Sequence, residues 1–313
     1  MASAEPFVYY GTSEFSRLIL AGLLEANLTP QLVVTTVAKP SGRGLKTAAT
    51  PVANLAQNSR LDVLEVSSLK NEELLQRLKA HGTTHALLAA FGKIIPPQVI
   101  KLYPKGIINV HPSRLPLYRG PSPIQTALLE GAAKTGVSLM LLDETVDHGP
   151  ILAQEDCSIA PEDESASLGL KLAQLSIELL KQIVPAYLAG ELTPTPQDHT
   201  QATFTKLISR EDGQADFSQP AKGLDRRRRA FTPWPGLWTT WQGKQLKLTL
   251  TQTVNTDSKL TPGTVADKGG VITVSCGQGD LVILKLQQQG GRELTAAEFI
   301  RGHQNFVGTL LPS

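Results

Sequence analysis

Over the first half of the chain, short apolar runs alternate with stretches whose apolar residues recur about every 3.6 positions, and this alternation predicts a parallel sheet wrapped by helices. Phe7 to Tyr10 reads as the first strand, Gly11-Thr12-Ser13 as a turn, and Glu14 to Ala26 as a helix. Further strands are predicted at Gln31 to Val37, Leu61 to Val66, His85 to Phe91 and Gly106 to His111, with a helix over Asn71 to Ala80. Two more, Gly136 to Leu142 and Ile151 to Ile159, are expected to pair across the polar turn between them. Ser165 to Ala189 is the longest helical pattern, and Gly190 stops it. Ala38 to Thr50 carries Pro, Ser and two Gly and is expected to be a long loop.

The 313 residues suit two domains. Residues 190–208 are rich in Pro, Thr and Gln, lack periodicity and read as a linker. Residues 1–189 then form a first domain and 209–313 a second. The second opens with a helical pattern over Ala221 to Phe231, which Pro233 ends. Five short β-like runs follow, at Leu237–Trp241, Gln245–Val254, Gly263–Ala266, Val271–Ser275 and Leu281–Leu286. They predict a small barrel of the oligonucleotide-binding (OB) type. The expected fold class is therefore α/β: a Rossmann-like, mostly parallel sheet with helices on both faces, plus a C-terminal OB-like barrel. Two or three of Trp234, Trp238 and Trp241 are expected in the core of that second domain, although a tryptophan is also able to stack on a base.

Charge is divided unevenly. Residues 1–205 carry a net −3 and residues 206–313 a net +5, which points to a separate module that meets a polyanion, with ordinary variation as the alternative. Two cysteines exclude a disulfide scaffold and a cysteine zinc site. No apolar run reaches the ~20 residues of a membrane helix, and no membrane partner is expected. The first residues carry no basic-then-apolar leader, so a cytoplasmic location of bacterial type is expected. His81 and His85 are separated by Gly82 and a strand start, and no metal is expected.

The chain lacks the glycine-rich dinucleotide fingerprint, the phosphate-binding loop, the serine nucleophile elbow and the zinc-protease helix motif. Its strongest feature is Asn109-Val110-His111 at a strand end, with Pro112 stopping the ladder. Residues i and i+2 of a strand share a face about 6.5–7 Å apart. Two polar side chains on a buried strand need partners, because leaving them bare costs a few kcal/mol. A structural pair and a functional pair are equally good readings at this point. Asp147, in the polar turn Leu142 to Gly149, favours the functional one. An amide and an imidazole donate to a developing oxyanion, while a carboxylate orients the imidazole and accepts a proton from an amine. None of the three is a good covalent nucleophile. Direct transfer of a small acyl group to an amine fits them.

Phe7-x-x-Tyr10-Gly-Thr-Ser-Glu-Phe15, Asn109-x-His111-Pro-Ser-x-Leu-Pro-x-x-Arg119-Gly and Asp143-x-x-x-Asp147-x-Gly149 resemble the formyltransferases that use 10-formyltetrahydrofolate. Pro40-Ser-Gly-Arg43-Gly-x-Lys46, Arg229-Ala-Phe-x-Pro-Trp-Pro-Gly236 and the barrel-like tail resemble the branch of that family that acts on methionyl-tRNA. The resemblance spans essentially the whole chain. It implies that Asn109 and His111 polarise the formyl oxygen and that Asp147 orients the histidine and helps deprotonate the methionyl amine. It implies a folate site built from Phe91, Gly92, Ile94 and Ile95, from Ser113, Arg114, Leu115 and Pro116, and from Thr145. Arg114 stands where the family commonly has leucine. Ile94 and Ile95, taken alone, read equally as core.

For the tRNA, the resemblance implies contacts from Lys39, Arg43 and Lys46 in the long loop and from Arg229. The consecutive Arg226 to Arg229 point around a helix at about 100° steps, so they do not form one stripe. The expected partners are methionyl initiator tRNA and 10-formyltetrahydrofolate, and a monomer is expected. A sugar-nucleotide N-formyltransferase, a formate-releasing hydrolase and a catalytically degenerate RNA-binding protein remain as alternatives. The first needs no basic loop or basic tail, and the last has no use for Asn109, His111 and Asp147.

Overall fold

The computed structural model describes residues 5–41, 46–256 and 259–312, and leaves out the side chains of residues 39–41, 46 and 47. The chain divides into two compact units. One comprises Met1–Pro123, Lys134–Ser158 and Gly169–Lys206, and the other Ile124–Ala133, Ile159–Leu168 and Leu207–Ser313.

The first unit holds a seven-stranded sheet. Its strands are β1 (Phe7–Gly11), β2 (Leu32–Thr36), β5 (Val63–Val66), β6 (His85–Ala89), β7 (Ile107–His111), β8 (Lys134–Leu141) and β9 (Ile151–Ser158). The order is β5-β2-β1-β6-β7-β8-β9, parallel from β5 to β7 and antiparallel from β7 to β9. The helices are α1 (Glu14–Glu25), α2 (Pro51–Asn58), α3 (Glu72–Ala80), α4 (Pro97–Ile100) and the part of α6 (Ser165–Leu188) from Gly169 onward, whereas α5 (Pro123–Glu130), but for Pro123, and the first turn of α6 belong to the second unit. This is the Rossmann-like arrangement that the alternating pattern predicts. Ser13 starts α1 because its hydroxyl accepts from the Ser16 amide, and Gly190, at φ +79°, follows the end of α6.

Ala38 to Thr50 differs from the expected open loop. Strands β3 (Lys39–Ser41) and β4 (Lys46–Ala48) pair as an antiparallel hairpin. Three residues per strand are too few to show a period of two, so the sequence reads only as loop. Arg43 lies outside the described residues.

Strands β1, β2, β6 and β7 are buried on both faces, while β5 at the sheet edge is half-buried. Val8, Tyr10, Leu32, Val34, Ala86, Leu88 and Ile107 form one apolar layer with Leu74 and Leu78 of α3 and Val99 of α4. His85 begins β6 at 1 % exposure, stacked on Phe7 with ring centroids 5.8 Å apart. Burial disfavours the charged ring and lowers its pKa from 6.5 to about 4. A lowered histidine pKa means that the unfolded chain binds the proton first. Stability is therefore lost as pH falls from 6.5 towards 4, by at most about 3 kcal/mol, and falls no further through this group below pH 4. His85→Phe is expected to flatten that slope in urea titrations at pH 7, 5.5 and 4. An unchanged slope would remove His85 as its source.

In the second unit, α7 (Ala221–Phe231) precedes β10 (Leu237–Trp241), β11 (Lys244–Val254), β12 (Val265–Asp267), β13 (Ile272–Ser275), β14 (Asp280–Gln288), β15 (Leu294–Thr295) and α8 (Ala296–Gly302). The strands form an antiparallel sheet in the order β10-β11-β14-β13-β12, with the short β15 on β14. It is a curled half-barrel, in keeping with the OB-like expectation. Its core gathers Phe217, Leu224, Leu246, Leu248, Val274, Leu281, Phe299 and Phe306. Only Trp241 among the three tryptophans is buried, which corrects the expectation of two or three. Side chains alternate along β10, so Leu237, Thr239 and Trp241 face inward while Trp238 is half-buried and Trp234, before the strand, is 58 % exposed.

Candidate active site

Ile107, Asn109 and His111 share one face of β7, and Ile107 belongs to the apolar layer under that face. The face turns polar at the carboxyl end of the strand, where Asn109 and His111 are 5 % and 4 % exposed. Open α/β sheets bind ligands at this end of their parallel strands.

Asp147 arrives by a route that strand order alone does not show. Strand β8 runs antiparallel to β7, so it ends beside the start of β7, where the Leu142 amide donates to the Ile107 carbonyl at 2.8 Å. Residues 143–149 then return toward the other end of β7. There the Asn109 amide donates from Nδ2 to Asp147 Oδ1 at 3.3 Å, and His111 Nδ1 lies 3.5 Å from the same oxygen. The Gly120 amide donates to Asp147 Oδ2 at 2.7 Å. The three side chains that the sequence singles out thus converge.

The remaining ring nitrogen of His111, Nε2, lies 3.0 Å from the Tyr118 carbonyl. A carbonyl only accepts, so Nε2 carries a hydrogen and donates it to Tyr118, while Nδ1 faces the Asp147 carboxylate. Both ring nitrogens are engaged by protein atoms, whereas the Asn109 amide keeps one N–H beyond the one it gives Asp147.

The turn after β6 holds Ala90 at φ +42° and Gly92 at φ +76°, and Thr12 Oγ1 donates to the Phe91 carbonyl at 2.9 Å. Phe91 and Ile95 point into the apolar layer, while Ile94 is 79 % exposed. Of the two isoleucines, Ile94 is therefore the one whose side chain faces outward.

The segment from Ser113 to Leu117 is pinned from below. Ser138 Oγ donates to the Ser113 carbonyl at 2.7 Å and accepts from the Leu115 amide at 3.0 Å, and Gln154 Nε2 donates to the Leu115 carbonyl at 2.7 Å. Ser113 and Leu115 are buried, and Pro116 is half-buried. Arg114 points outward and pairs with Asp156 at 2.5 Å. Thr145 is exposed, with its amide donating to Asp143 Oδ1 at 2.9 Å.

The basic residues behave differently from one another. Lys39 lies on β3 and Lys46 on β4. Arg229 is already committed, with Nε donating to Asp225 at 3.2 Å and Nη1 to the Asp163 carbonyl at 3.0 Å. Its neighbours diverge as the 100° step requires. Arg228 is buried against Glu164, and Arg227 donates to the Gln214 carbonyl at 3.0 Å. Among the described residues no cluster of His, Cys, Asp and Glu able to hold a metal occurs, and no helix is long and apolar enough to cross a membrane.

Sequence reasoning missed Gln197. It is 6 % exposed and comes from the stretch read as a linker. Its Nε2 donates to the Asp147 carbonyl at 3.0 Å and to the Gly149 carbonyl at 2.7 Å. No local periodicity flags it, and only the fold brings it to the site.

An amide, an imidazole and a carboxylate at the strand end of a Rossmann-like sheet, none of them a covalent nucleophile, define an enzyme of direct group transfer. The comparisons with known proteins name the group: the chain belongs to the formyl transferase family. The family model described as "Formyl transferase" matches residues 7–184, and that of its C-terminal domain matches residues 207–304. The methionyl-tRNA formyltransferase of Myxococcus xanthus is 42 % identical, with 96 % of each chain covered. That of Roseiflexus castenholzii is 41 % identical over 94 % of this chain and 95 % of its own. Among solved structures, HypX from Aquifex aeolicus in complex with tetrahydrofolic acid is similar, with a TM-score of 0.64 at 17 % identity, covering 97 % of this chain and 48 % of that one. An N-formyltransferase from Helicobacter canadensis gives 0.63 at 14 % identity, covering 91 % and 100 %. At these identities the two structures share the fold alone.

Proposed function

We propose that the chain transfers the formyl group of 10-formyltetrahydrofolate to the free amino group of methionyl initiator tRNA, which supplies formylated methionine for translation initiation. The observation that carries this reading is the convergence of Asn109 and His111 within 3.5 Å of one carboxylate oxygen of Asp147.

The bound folate supplies the formyl carbon: an amide bond forms from that carbon to the methionyl nitrogen, and the bond from it to the folate nitrogen breaks. Asn109 donates its free amide N–H to the formyl oxygen as charge develops there. His111 joins it once its Nε2–H leaves the Tyr118 carbonyl. Asp147 takes the proton that the attacking amine loses, directly or through a water, and that proton passes to the folate nitrogen as it departs. One preorganised oxyanion donor is worth about 10²–10³ in rate.

The residues present suit the folate. Ile94 offers an exposed apolar face, the backbone of Phe91 and Gly92 offers hydrogen-bonding groups on a fixed turn, the pinned segment of Ser113, Arg114, Leu115 and Pro116 offers a second edge, and Thr145 belongs to the turn that carries Asp147. Lys39 and Lys46, on the hairpin strands, together with Arg43 bring positive charge to the acceptor end of the tRNA. Arg229 serves that role after its bonds to Asp225 and Asp163. The chain acts as a monomer in a cytoplasm of bacterial type, with 1–189 as catalytic domain, 190–208 as linker and 209–313 as tRNA-binding domain.

Purified protein incubated with 10-formyltetrahydrofolate and methionyl initiator tRNA is expected to yield N-formylmethionyl-tRNA. Release of formate alone, or formylation only of an amino-sugar nucleotide, overturns the reading.

A further inference from the structure

Asp147 sits at φ +49°, in the left-handed region that costs a non-glycine residue about 1–2 kcal/mol. Such a conformation persists where the surroundings over-determine it. One backbone amide and one side-chain amide fix Asp147 here. Its carboxylate accepts from the Gly120 amide at 2.7 Å, and its own carbonyl accepts from Gln197 Nε2 at 3.0 Å. The same Nε2 reaches the Gly149 carbonyl at 2.7 Å, so one side-chain amide ties both sides of His148.

The amide of Gln197 has a defined orientation because Arg119 holds its oxygen. Arg119 donates to Gln197 Oε1 from Nη2 at 2.6 Å and from Nε at 3.3 Å. An arginine only donates, so Oε1 faces Arg119 and Nε2 faces the two carbonyls. Arg119 Nη2 also lies 2.8 Å from His199 Nδ1, which must therefore accept.

Arg119 is 3 % exposed, and no carboxylate is among the side chains it bonds. A buried guanidinium is costly unless its hydrogen bonds are met, so this pairing needs a reason. Arg119 immediately precedes Gly120, the donor to the carboxylate. A closed ring results: Asp147 carboxylate, Gly120 amide, Arg119 side chain, Gln197 amide, Asp147 carbonyl.

Residues 203–205 lock the ring to the fold. The Arg119 amide donates to the Thr203 carbonyl at 2.9 Å, and the Thr205 amide to the Arg119 carbonyl at 2.7 Å. Gly120 is at φ +107°, and a Cβ there would lie 2.9 Å from Thr205 Oγ1 and 3.0 Å from the Thr205 carbonyl oxygen. Only glycine fits that approach.

We propose that Gln197, oriented by Arg119, is a positioning residue that fixes the Asp147 carboxylate against Asn109 and His111, an assignment that rests on the transfer reading above. It touches neither formyl group nor amine and acts through the backbone of Asp147.

Gln197→Glu separates this role from a structural one. The carboxylate keeps the volume and the Arg119 partner but has no N–H for the Asp147 and Gly149 carbonyls. Its kcat for methionyl-tRNA formylation is expected to fall about 10–10²-fold, because small misplacements near the chemistry cost that much. Its KM for folate and for tRNA is expected to stay within about twofold, and its melting temperature close to that of the parent. Amide hydrogen exchange over residues 143–150 and at Gly120 is expected to quicken about tenfold. Full turnover with unchanged exchange overturns the positioning role. If the parent protein forms no N-formylmethionine, the transfer reading fails instead, and the exchange rates alone then decide: quickened exchange upholds the brace, and unchanged exchange rejects it.

Discussion

Asp147→Asn is expected to lower kcat for formylation about 10³-fold while leaving the melting temperature and folate binding nearly unchanged. The carboxylate accepts from Gly120 and Asn109 and faces His111 Nδ1. An asparagine has one oxygen for these duties. If that oxygen stays on the Gly120 amide, the new NH₂ turns toward the NH₂ of Asn109, donor against donor. If it turns to Asn109, the NH₂ meets the Gly120 N–H. Either way one contact worth about 1 kcal/mol is lost, which the fold tolerates. The chemistry does not tolerate it, since a carboxamide takes no proton from the amine, and general-base assistance is worth about 10²–10⁴. Single-turnover formation of N-formylmethionyl-tRNA measures the step directly. Turnover within tenfold of the parent would place the base elsewhere.

The same cluster shows what the sequence makes legible and what it hides. Asn109 and His111 stand out because polar residues at i and i+2 interrupt an otherwise apolar strand, and a period of two survives in any register. Asp147 is legible as a polar residue in a turn, but its path is not. That path follows from β8 running antiparallel to β7, a pairing decided by tertiary contacts. Gln197 is hidden altogether, because its role depends on two carbonyls some fifty residues away. The parallel sheet is legible from long β-branched runs such as Leu32–Thr36, whereas the hairpin of Lys39–Ser41 and Lys46–Ala48 is too short to leave a pattern. Ile94 and Ile95 are adjacent and chemically alike, yet one is exposed and the other buried. Composition does not separate them. The turn geometry around Gly92 does.

Trp241→Ala is expected to destabilise the second unit by about 3–5 kcal/mol, and Trp241→Phe by much less. Trp241 is 5 % exposed and sits edge-on to Phe299 at 5.6 Å and Phe306 at 5.3 Å, with His303 at 5.2 Å. Removing the indole opens a cavity in the middle of that aromatic cluster, and large-to-small changes of this kind cost that range. The rings around it do not collapse freely, because Phe299 is already stacked on His303 at 4.3 Å. Phenylalanine leaves a smaller void. It also removes the indole N–H, which is buried and has no partner among the described residues, so part of the lost packing is offset. The chain's three tryptophans all fall within residues 234–241, so their fluorescence reports this unit selectively. After the substitution, Trp234 and Trp238 remain to follow the denaturant transition. A midpoint that moves little for alanine would mean that the cluster relaxes around the gap, and that Trp241 fills space rather than holding the half-barrel together.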